Sequence, residues 1–459
     1  MVSFWIYDVV FLILFSLGVF WFLRNRKEEL SKDGWIFMWR TQFGIKAISW
    51  FTKKFGSILE KMKWLIVGLG VLLMGVMIWM LGRTVSIYLL HPDITKLIKA
   101  PPIAPLIPYF PKLFGMESFF PPFYFTYFIV ALAIVAIAHE FSHGIFMKLF
   151  KVKIKSTGLV FLGPLLGAFV EEEKSGFHKK SKLNQMTVLG AGVFANILMA
   201  LLFYLFYVGF FFVSFTASGY IFNSYGVASI PSANVTGYEE VDGLTKVLTN
   251  NETYYLDEGL ALQLEGEMPE YLIAYAEAPA VLAGMKGAII QADDVKILKF
   301  DDLRWFLENK NPGDVVRFVT EDVDGVEEYD IMLGNHPDDS SKAYLGVGHS
   351  EASPRGFVQK ILAKFMEFKK PSTFYKATWN KDAANFIFDF LWWVMIINLL
   401  VALFNMMPLG MLDGGRFFYL GVWGIFKSEK MARLAYEAGT YLILFMFALM
   451  MFFWFIRII

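Results

Sequence analysis

Six apolar stretches, each long enough to cross a bilayer, dominate this chain of 459 residues. They run at about 4–23, 64–82, 123–147, 186–214, 386–408 and 438–457. Backbone amides in hydrocarbon must be satisfied within their own segment, so such stretches form helices. With 56% hydrophobic and 18% aromatic residues, the sequence predicts a polytopic α-helical membrane protein and excludes an ordinary soluble enzyme. Lys+Arg and Asp+Glu both total 42, so charge balance favours no nucleic acid or other polyanionic partner. There are no cysteines. Disulfides and thiolate metal sites are therefore excluded, and any metal must rely on histidine and carboxylate.

Charge at the ends of the spans sets an orientation. Ten Lys/Arg lie between Arg24 and Lys63, after the first apolar run rather than before it, as in a retained anchor and not a cleaved signal. The second span returns outward to a loop with eight of the 17 prolines, including "APPIAPLIPYFPK". Lys148, Lys151, Lys153 and Lys155 close the third span on the cytoplasmic side, and "GFHKKSKLNQ" at 176–185 faces the same way. The polar insert at 215–385 then falls outside, in keeping with the sequons at Asn234 and Asn251. Arg416, Lys427, Lys430 and Arg433 mark the inner side again before the sixth span. Both termini are expected to be extracytoplasmic, in the cell membrane of a prokaryote.

Within the third span lies "AHEFSHGIF", Ala138 to Phe146. An intramembrane glutamate costs roughly 2.5 kcal/mol or more, so two histidines and a glutamate there point to function. His139 and His143 stand at i and i+4, about 40° apart on a helix, and can share one zinc. Glu140 is turned away by about 100° and suits the role of general base toward a water. A pair of core histidines on a buried helix is the bland alternative, and its polarity cost weighs against it. His139 is about 13 Å of helix from Lys148, so the site lies nearer the cytoplasmic face and draws water from there.

A catalytic zinc takes three protein ligands. His178 sits in a basic surface stretch, and His91, His336 and His349 fall on the outer side. "NMMPLGMLDGG", Asn405 to Gly415, closes the fifth span, and Asp413 is its one carboxylate after an uncharged run from Phe390 to Leu412. Pro408, Gly410, Gly414 and Gly415 break the helix there, which membranes tolerate only around a buried or water-filled site. Asp413 is therefore the expected third ligand, the alternative being an aspartate that caps an interfacial helix.

These two elements together resemble the site-2 protease family of intramembrane zinc metalloproteases, which pairs HExxH on one span with N-x-x-P-x-x-x-L-D-G on a later one. Here they read His139-Glu-Phe-Ser-His143 and Asn405-Met-Met-Pro408-Leu-Gly-Met-Leu412-Asp413-Gly414. The resemblance implies one Zn2+ held by His139, His143 and Asp413, with Glu140 activating the water. "STGLVFLGPLLGAFVEEEK" looks like the family's membrane-dipping β-hairpin, with Gly163-Pro164 in the turn, and would pair with an extended substrate. "GAGVFANI" resembles its G-x-x-x-N element, with Gly192 and Asn196, although Val193 stands where many relatives have proline. Asn196 and Asn405 are thereby implied as oxyanion or substrate contacts.

In the insert, about 270–350 resembles a PDZ domain of the bacterial protease-associated type. It has a Pro-Ala helix start, a strand through "IIQADDVKI", a helix "FDDLRWFLENK", and hairpin strands "VVRFVTED" and "VEEYDIML". "YLGVG" at 344–348 is similar to a carboxylate-receiving loop but follows the core instead of preceding it. Such a domain would bind an extended segment or act as a steric filter. Residues 215–269 read as a linker with strands.

The expected organisation is thus 1–122, two extra N-terminal helices and the exterior loop; 123–214, the first half of a protease core; 215–385, the insert; and 386–459, the second half. The implied activity is hydrolysis of peptide bonds within transmembrane segments of single-span proteins, as in regulated intramembrane proteolysis. The alternative is a non-catalytic membrane-embedded metal- or peptide-binding protein. A transporter would need polar residues along both halves of the membrane, and the outer half offers Asp8 and Asp389 alone.

Overall fold

The computed structural model describes residues 4–90, 101–102, 106–117, 119–173, 176–241, 244–250, 252–264, 268–322, 325–349 and 356–458. His91 and Asn251 lie outside them. The chain divides into two compact units, one of 1–210 with 385–459 and one of 211–384. Among the described residues six helices are long and apolar enough to cross a membrane, as in a multi-pass membrane protein.

The first unit begins with α1 (Phe4–Asn25), whose only buried residue is Asp8. Its apolar side chains are largely exposed, as lipid-facing surface must be. Strands β1 (Leu30–Asp33) and β2 (Ile36–Thr41) follow, joined through Gly34 at φ 58°. Next come the amphipathic α2 (Phe43–Lys61) and the spanning α3 (Lys63–Leu90). The motif-bearing α4 (Phe125–Leu149) leads into β3 (Ile154–Leu162) and β4 (Leu165–Glu172), with Gly163 at φ 59° in their turn. After α5 (Lys182–Ser214) the chain enters the second unit, and it returns through α6 (Lys381–Asn405), α7 (Asp413–Phe426) and α8 (Glu429–Ile458).

Two packing arrangements position the site. Phe123 just before α4 and Tyr127 and Val135 on it form a core with Trp393, Val394 and Ile397 of α6. The Phe123 and Trp393 rings lie 4.0 Å apart, and the Trp393 indole donates to the Pro122 carbonyl at 2.9 Å. At the other end, Ile145 and Phe146 of α4, Val188 and Val193 of α5, Ile66 of α3 and Phe417 of α7 share one cluster. The polar atoms of α4 are held as well. Asp8 of α1 accepts from the Tyr109 hydroxyl, the Phe125 and Thr126 amides and the Thr126 hydroxyl, each at 2.8 Å. A buried carboxylate thus caps the α4 N-terminus, where free N–H groups and the helix dipole favour negative charge. That accounts for the acid in an otherwise apolar span without invoking a transport path.

The hairpin expected around Gly163-Pro164 is present, but it is half of a larger sheet. The order is β1-β2-β3-β4, all antiparallel, with Phe37 opposite Phe161 and Thr41 opposite Thr157. β4 is an edge strand of that sheet. Helix α2 supports the back of α4: Ile48 fills the space that Gly144 leaves open, and the Thr52 hydroxyl reaches the Ile145 carbonyl at 3.3 Å. The N-terminal region is therefore structurally continuous with the core rather than an appendage.

In the second unit β5 (Phe215–Ile221) is followed by β6 (Ser224–Tyr225), β7 (Val227–Pro231), β8 (Val235–Val241), β9 (Leu244–Thr249), β10 (Thr253–Leu256) and β11 (Tyr271–Ala276). Strands β7–β11 form a five-stranded sheet, order β7-β11-β10-β9-β8, over Ile230, Val247, Leu256, Leu272 and Ala274. It stands where the sequence reads as a linker with strands, and its strands are joined into one sheet. Then come β12 (Ala288–Ala292), β13 (Val295–Lys296), a helix over Phe300–Glu308, β14 (Val315–Glu321) and β15 (Val326–Met332). Small strands β16 (Gly334–His336), β17 (Asp339–Tyr344) and β18 (Val347–Gly348) precede β19 (Thr373–Ala377). The main sheet runs β15-β14-β12-β5-β19 over a core with Leu303 and Phe306 of the helix. The single strand expected through "IIQADDVKI" is instead a tight hairpin, because Asp293 turns the chain at φ 47°.

Candidate active site

α4 carries His139, Glu140 and His143 on one turn, and their ligand atoms lie within 4.8 Å of one another. The two imidazoles stand at 81° to each other with Nε2 atoms 3.0 Å apart. Asp413 meets them from the far end of the chain. Its Oδ2 lies 3.1 Å from His139 Nε2 and 3.3 Å from His143 Nε2. Both histidines are buried, and the Asp413 side chain is 23% exposed.

The helix break is what delivers Asp413. α6 ends at Asn405, and buried turns over Met406–Leu409 reverse the chain before α7 starts at Asp413. Asp413 thus belongs to the first turn of a separate short helix and not to the span itself. Its glycines are obligatory on steric grounds. A Cβ on Gly414 would lie 2.3 Å from the Met406 carbonyl carbon, and one on Gly415 would lie 2.4 Å from the Leu409 oxygen. Gly192 of α5 serves the histidines in the same way. A Cβ there would stand 2.5 Å from both His139 Cε1 and His143 Nε2. Gly192→Ala is expected to displace the two rings and to weaken metal binding on the order of 10–100-fold, as perturbed ligand support generally does. Metal titration of the purified variant checks this, and native affinity would refute it.

These donors fit a small divalent cation. Tetrahedral ligands about 2.0–2.1 Å from zinc stand roughly 3.3 Å from each other, close to the separations of the three donor atoms. His143 Nδ1 lies 2.7 Å from the Val188 carbonyl and can only donate to it, which leaves Nε2 a lone pair. With Nδ1 protonated on both rings, two Nε2 lone pairs and a carboxylate oxygen would converge at 3.0–3.3 Å, an arrangement that a cation among them stabilises.

The three donors and Glu140 line a cavity of about 490 Å³, together with Asn405, Glu172 and Arg416. Glu140 Oε2 accepts the Val170 amide of β4 at 3.1 Å, so the edge strand touches the prospective base directly. Asn196 is not brought to the cavity. It is fully buried on α5, with Nδ2 3.1 Å from His139 Nδ1. His178 does not join the donor cluster either: its Nδ1 accepts from the Arg416 guanidinium at 2.9 Å.

A family model, peptidase family M50, matches residues 127–447, about 70% of the chain. The chain belongs to peptidase family M50, the site-2 protease family. It is also 43% identical over 74 residues to an uncharacterized protein of Methanocaldococcus jannaschii, a match covering 16% of this chain and 20% of that relative. The members of this family are metallopeptidases, and the His139-Glu140-His143 group could hold a metal ion.

Two further residues line the cavity: Arg416, which the sequence marks only as an inner-side charge, and Glu172, which the sequence does not single out. Arg416 lies one turn after Asp413 on α7, stacks on Phe177 at 4.5 Å and makes no ion pair among the described residues. Glu172, at the end of β4, has a buried Oε2 without a hydrogen-bond partner among the described residues, and burial pushes its carboxyl up. The i, i+3 spacing from Asp413 was the available signal for Arg416. Glu172 had none, being one of three consecutive glutamates.

Proposed function

We propose that this protein is a zinc-dependent endopeptidase that cuts transmembrane segments of single-span proteins within the bilayer. The observation that carries this reading is the convergence of His139, His143 and Asp413, from helices 274 positions apart in sequence, beside Glu140 in one cavity. In this reading the three hold one Zn2+. When bound, zinc supplies Lewis acidity toward a water and the scissile carbonyl. Glu140 removes the proton of that water and later delivers it to the leaving amine. Asn405 lines the same cavity and would donate to the carbonyl oxygen as charge develops on it.

The edge position of β4 favours an extended substrate. A transmembrane helix hides its amides from hydrolysis, and pairing with a free strand edge compensates the hydrogen bonds lost on unwinding. An entirely apolar cavity of about 540 Å³ between α1 and α4, reaching Leu166 of β4, offers surface for such a segment before it unwinds. The lysines after α4 support an active site nearer the cytoplasm, with the insert and both termini extracytoplasmic.

For the PDZ-like region at about 270–350, a steric filter is the better supported role. The β18 strand in the "YLGVG" loop is already paired with β6, with Asn223 N donating to Gly348 O at 3.1 Å. A peptide adding to that strand would have to displace the chain's own segment.

The test is reconstitution in liposomes with single-span substrates. About one zinc per chain, cleavage inside the span, loss with a chelator and recovery with zinc are expected. Zinc-free, inactive protein after chelator-free purification would overturn the reading and leave a non-catalytic binder, whereas cleavage indifferent to chelation would overturn its zinc dependence.

A further inference from the structure

Two imidazoles can present Nε2 lone pairs to one cation only if both carry their proton on Nδ1, so the group facing each Nδ1 decides whether the site can form. His143 has a backbone carbonyl there, that of Val188 at 2.7 Å. A carbonyl can only accept, and it fixes the tautomer outright. His139 has no such carbonyl. Its Nδ1 faces the side-chain amide of Asn196 at 3.1 Å, on the adjacent helix α5.

That amide is fully buried, and its Oδ1 has no hydrogen-bond partner among the described residues. A buried amide oxygen without a donor is unfavourable, and the two ends of an amide exchange places by a half-turn about the last side-chain bond. With Nδ2 toward the ring, Asn196 donates to Nδ1 and leaves the proton on Nε2, pointing at His143 and Asp413. With Oδ1 toward the ring, it accepts the Nδ1 proton, and the orphaned oxygen gains its partner. Gly192, one turn earlier on α5, leaves the rings room to lie against that helix.

We propose that Asn196 is a positioning residue for the metal site: its amide oxygen holds His139 in the Nδ1-protonated tautomer and so turns Nε2 toward the cation. This rests on the metal reading above but differs from the oxyanion role that the family resemblance implies. An oxyanion donor must reach the cavity, and Asn196 lies behind the ligand instead. The amide also gives the empty and loaded sites different partners, because it can serve either tautomer where a carbonyl cannot.

The experiment is zinc affinity of the full chain in detergent, by competition with a chelating indicator, for the native protein, Asn196→Leu and Asn196→Asp. Leucine fills the space without an acceptor and is expected to weaken zinc on the order of 10–100-fold. Aspartate restores an acceptor and is expected within about threefold of native, with a native-like cobalt(II) absorption spectrum. A merely structural role would not be rescued by a buried charge. Zinc affinity unchanged in Asn196→Leu, or weakened equally in Asn196→Asp, overturns the proposal while leaving the metal reading intact. No zinc in the native protein overturns both. Should the leucine variant fail to fold, 15N-histidine NMR of the zinc-loaded native protein decides the question. Nδ1 protonation of both ligand rings supports the assignment, and an Nε2 proton on His139 refutes it.

Discussion

Glutamine at position 140 is expected to leave the protein with its metal and without its peptidase activity. The substitution keeps the length and shape of the side chain, and the amide oxygen can still accept the Val170 N–H that Glu140 Oε2 now accepts at 3.1 Å. Helix α4, the β4 edge and the three donor atoms should therefore stay in place. What is lost is the ability to take a proton from water and return it to the leaving amine. General acid–base assistance contributes typically about 10²–10⁴-fold, and Glu140 is asked to serve both steps. Cleavage of a reconstituted single-span substrate should fall by at least about 10³-fold, with zinc per chain unchanged. Turnover within tenfold of native would remove Glu140 from the role of base. Loss of zinc alongside activity would make it a ligand instead.

What the sequence made legible, and what it hid, follows from how local each signal is. The six spans are runs of apolar residues, and a run is visible in one dimension. His139, Glu140 and His143 are neighbours on one helix turn, so their common face follows from the helical repeat. The hairpin at Gly163-Pro164 carried its turn chemistry in the open. Strands β1 and β2 had a comparable signal in Asp33-Gly34. That turn lies among basic residues whose charge marks the membrane topology and carries no pairing signal. The five-stranded sheet from Val227 to Ala276 was harder. Strand β8 reads VTGYEEV and is mostly exposed, so little apolar alternation marks it. Its hydrophobic side is completed by residues far along the chain, Leu272 and Ala274 among them.

The site shows the same division. Asp413 could be proposed because a lone carboxylate on a glycine-rich break is unusual at that depth. The place of Asn196 could not. Whether an asparagine on one helix faces a cavity or the back of a ligand depends on how α4 and α5 pack, and no motif encodes that packing. Asp8 is a third case. A single acid in α1 was visible, but its four donors belong to Tyr109, Phe125 and Thr126, more than 100 positions away.

Asp413→Ala should empty the metal site while leaving the fold intact, and the reasons for both halves are separate. The fold is safe because Asp413 is not what turns the chain. Gly414 and Gly415 permit the close approach to Met406 and Leu409, and the Leu412 amide donates to the Leu409 carbonyl at 2.9 Å whatever side chain follows. An acid in the first turn of α7 interacts favourably with the helix dipole by only about 0.3–1 kcal/mol. The metal is not safe, because two imidazoles on one turn of α4 make half a tetrahedral site, and the third donor is supplied from the other end of the sequence. Loss of supporting groups around a ligand already costs 10–100-fold in affinity. Loss of the ligand itself should exceed about 100-fold and leave far less than one zinc per chain after dialysis against a weak chelator. Asp413→Asn separates charge from shape. It keeps an oxygen at the same reach but removes the negative charge that offsets the cation, and intermediate retention is expected. Native-like zinc content in Asp413→Ala would mean that the metal draws its third ligand from another residue, and that the 3.1 and 3.3 Å approaches of Asp413 to His139 and His143 hold the helices together without holding a metal.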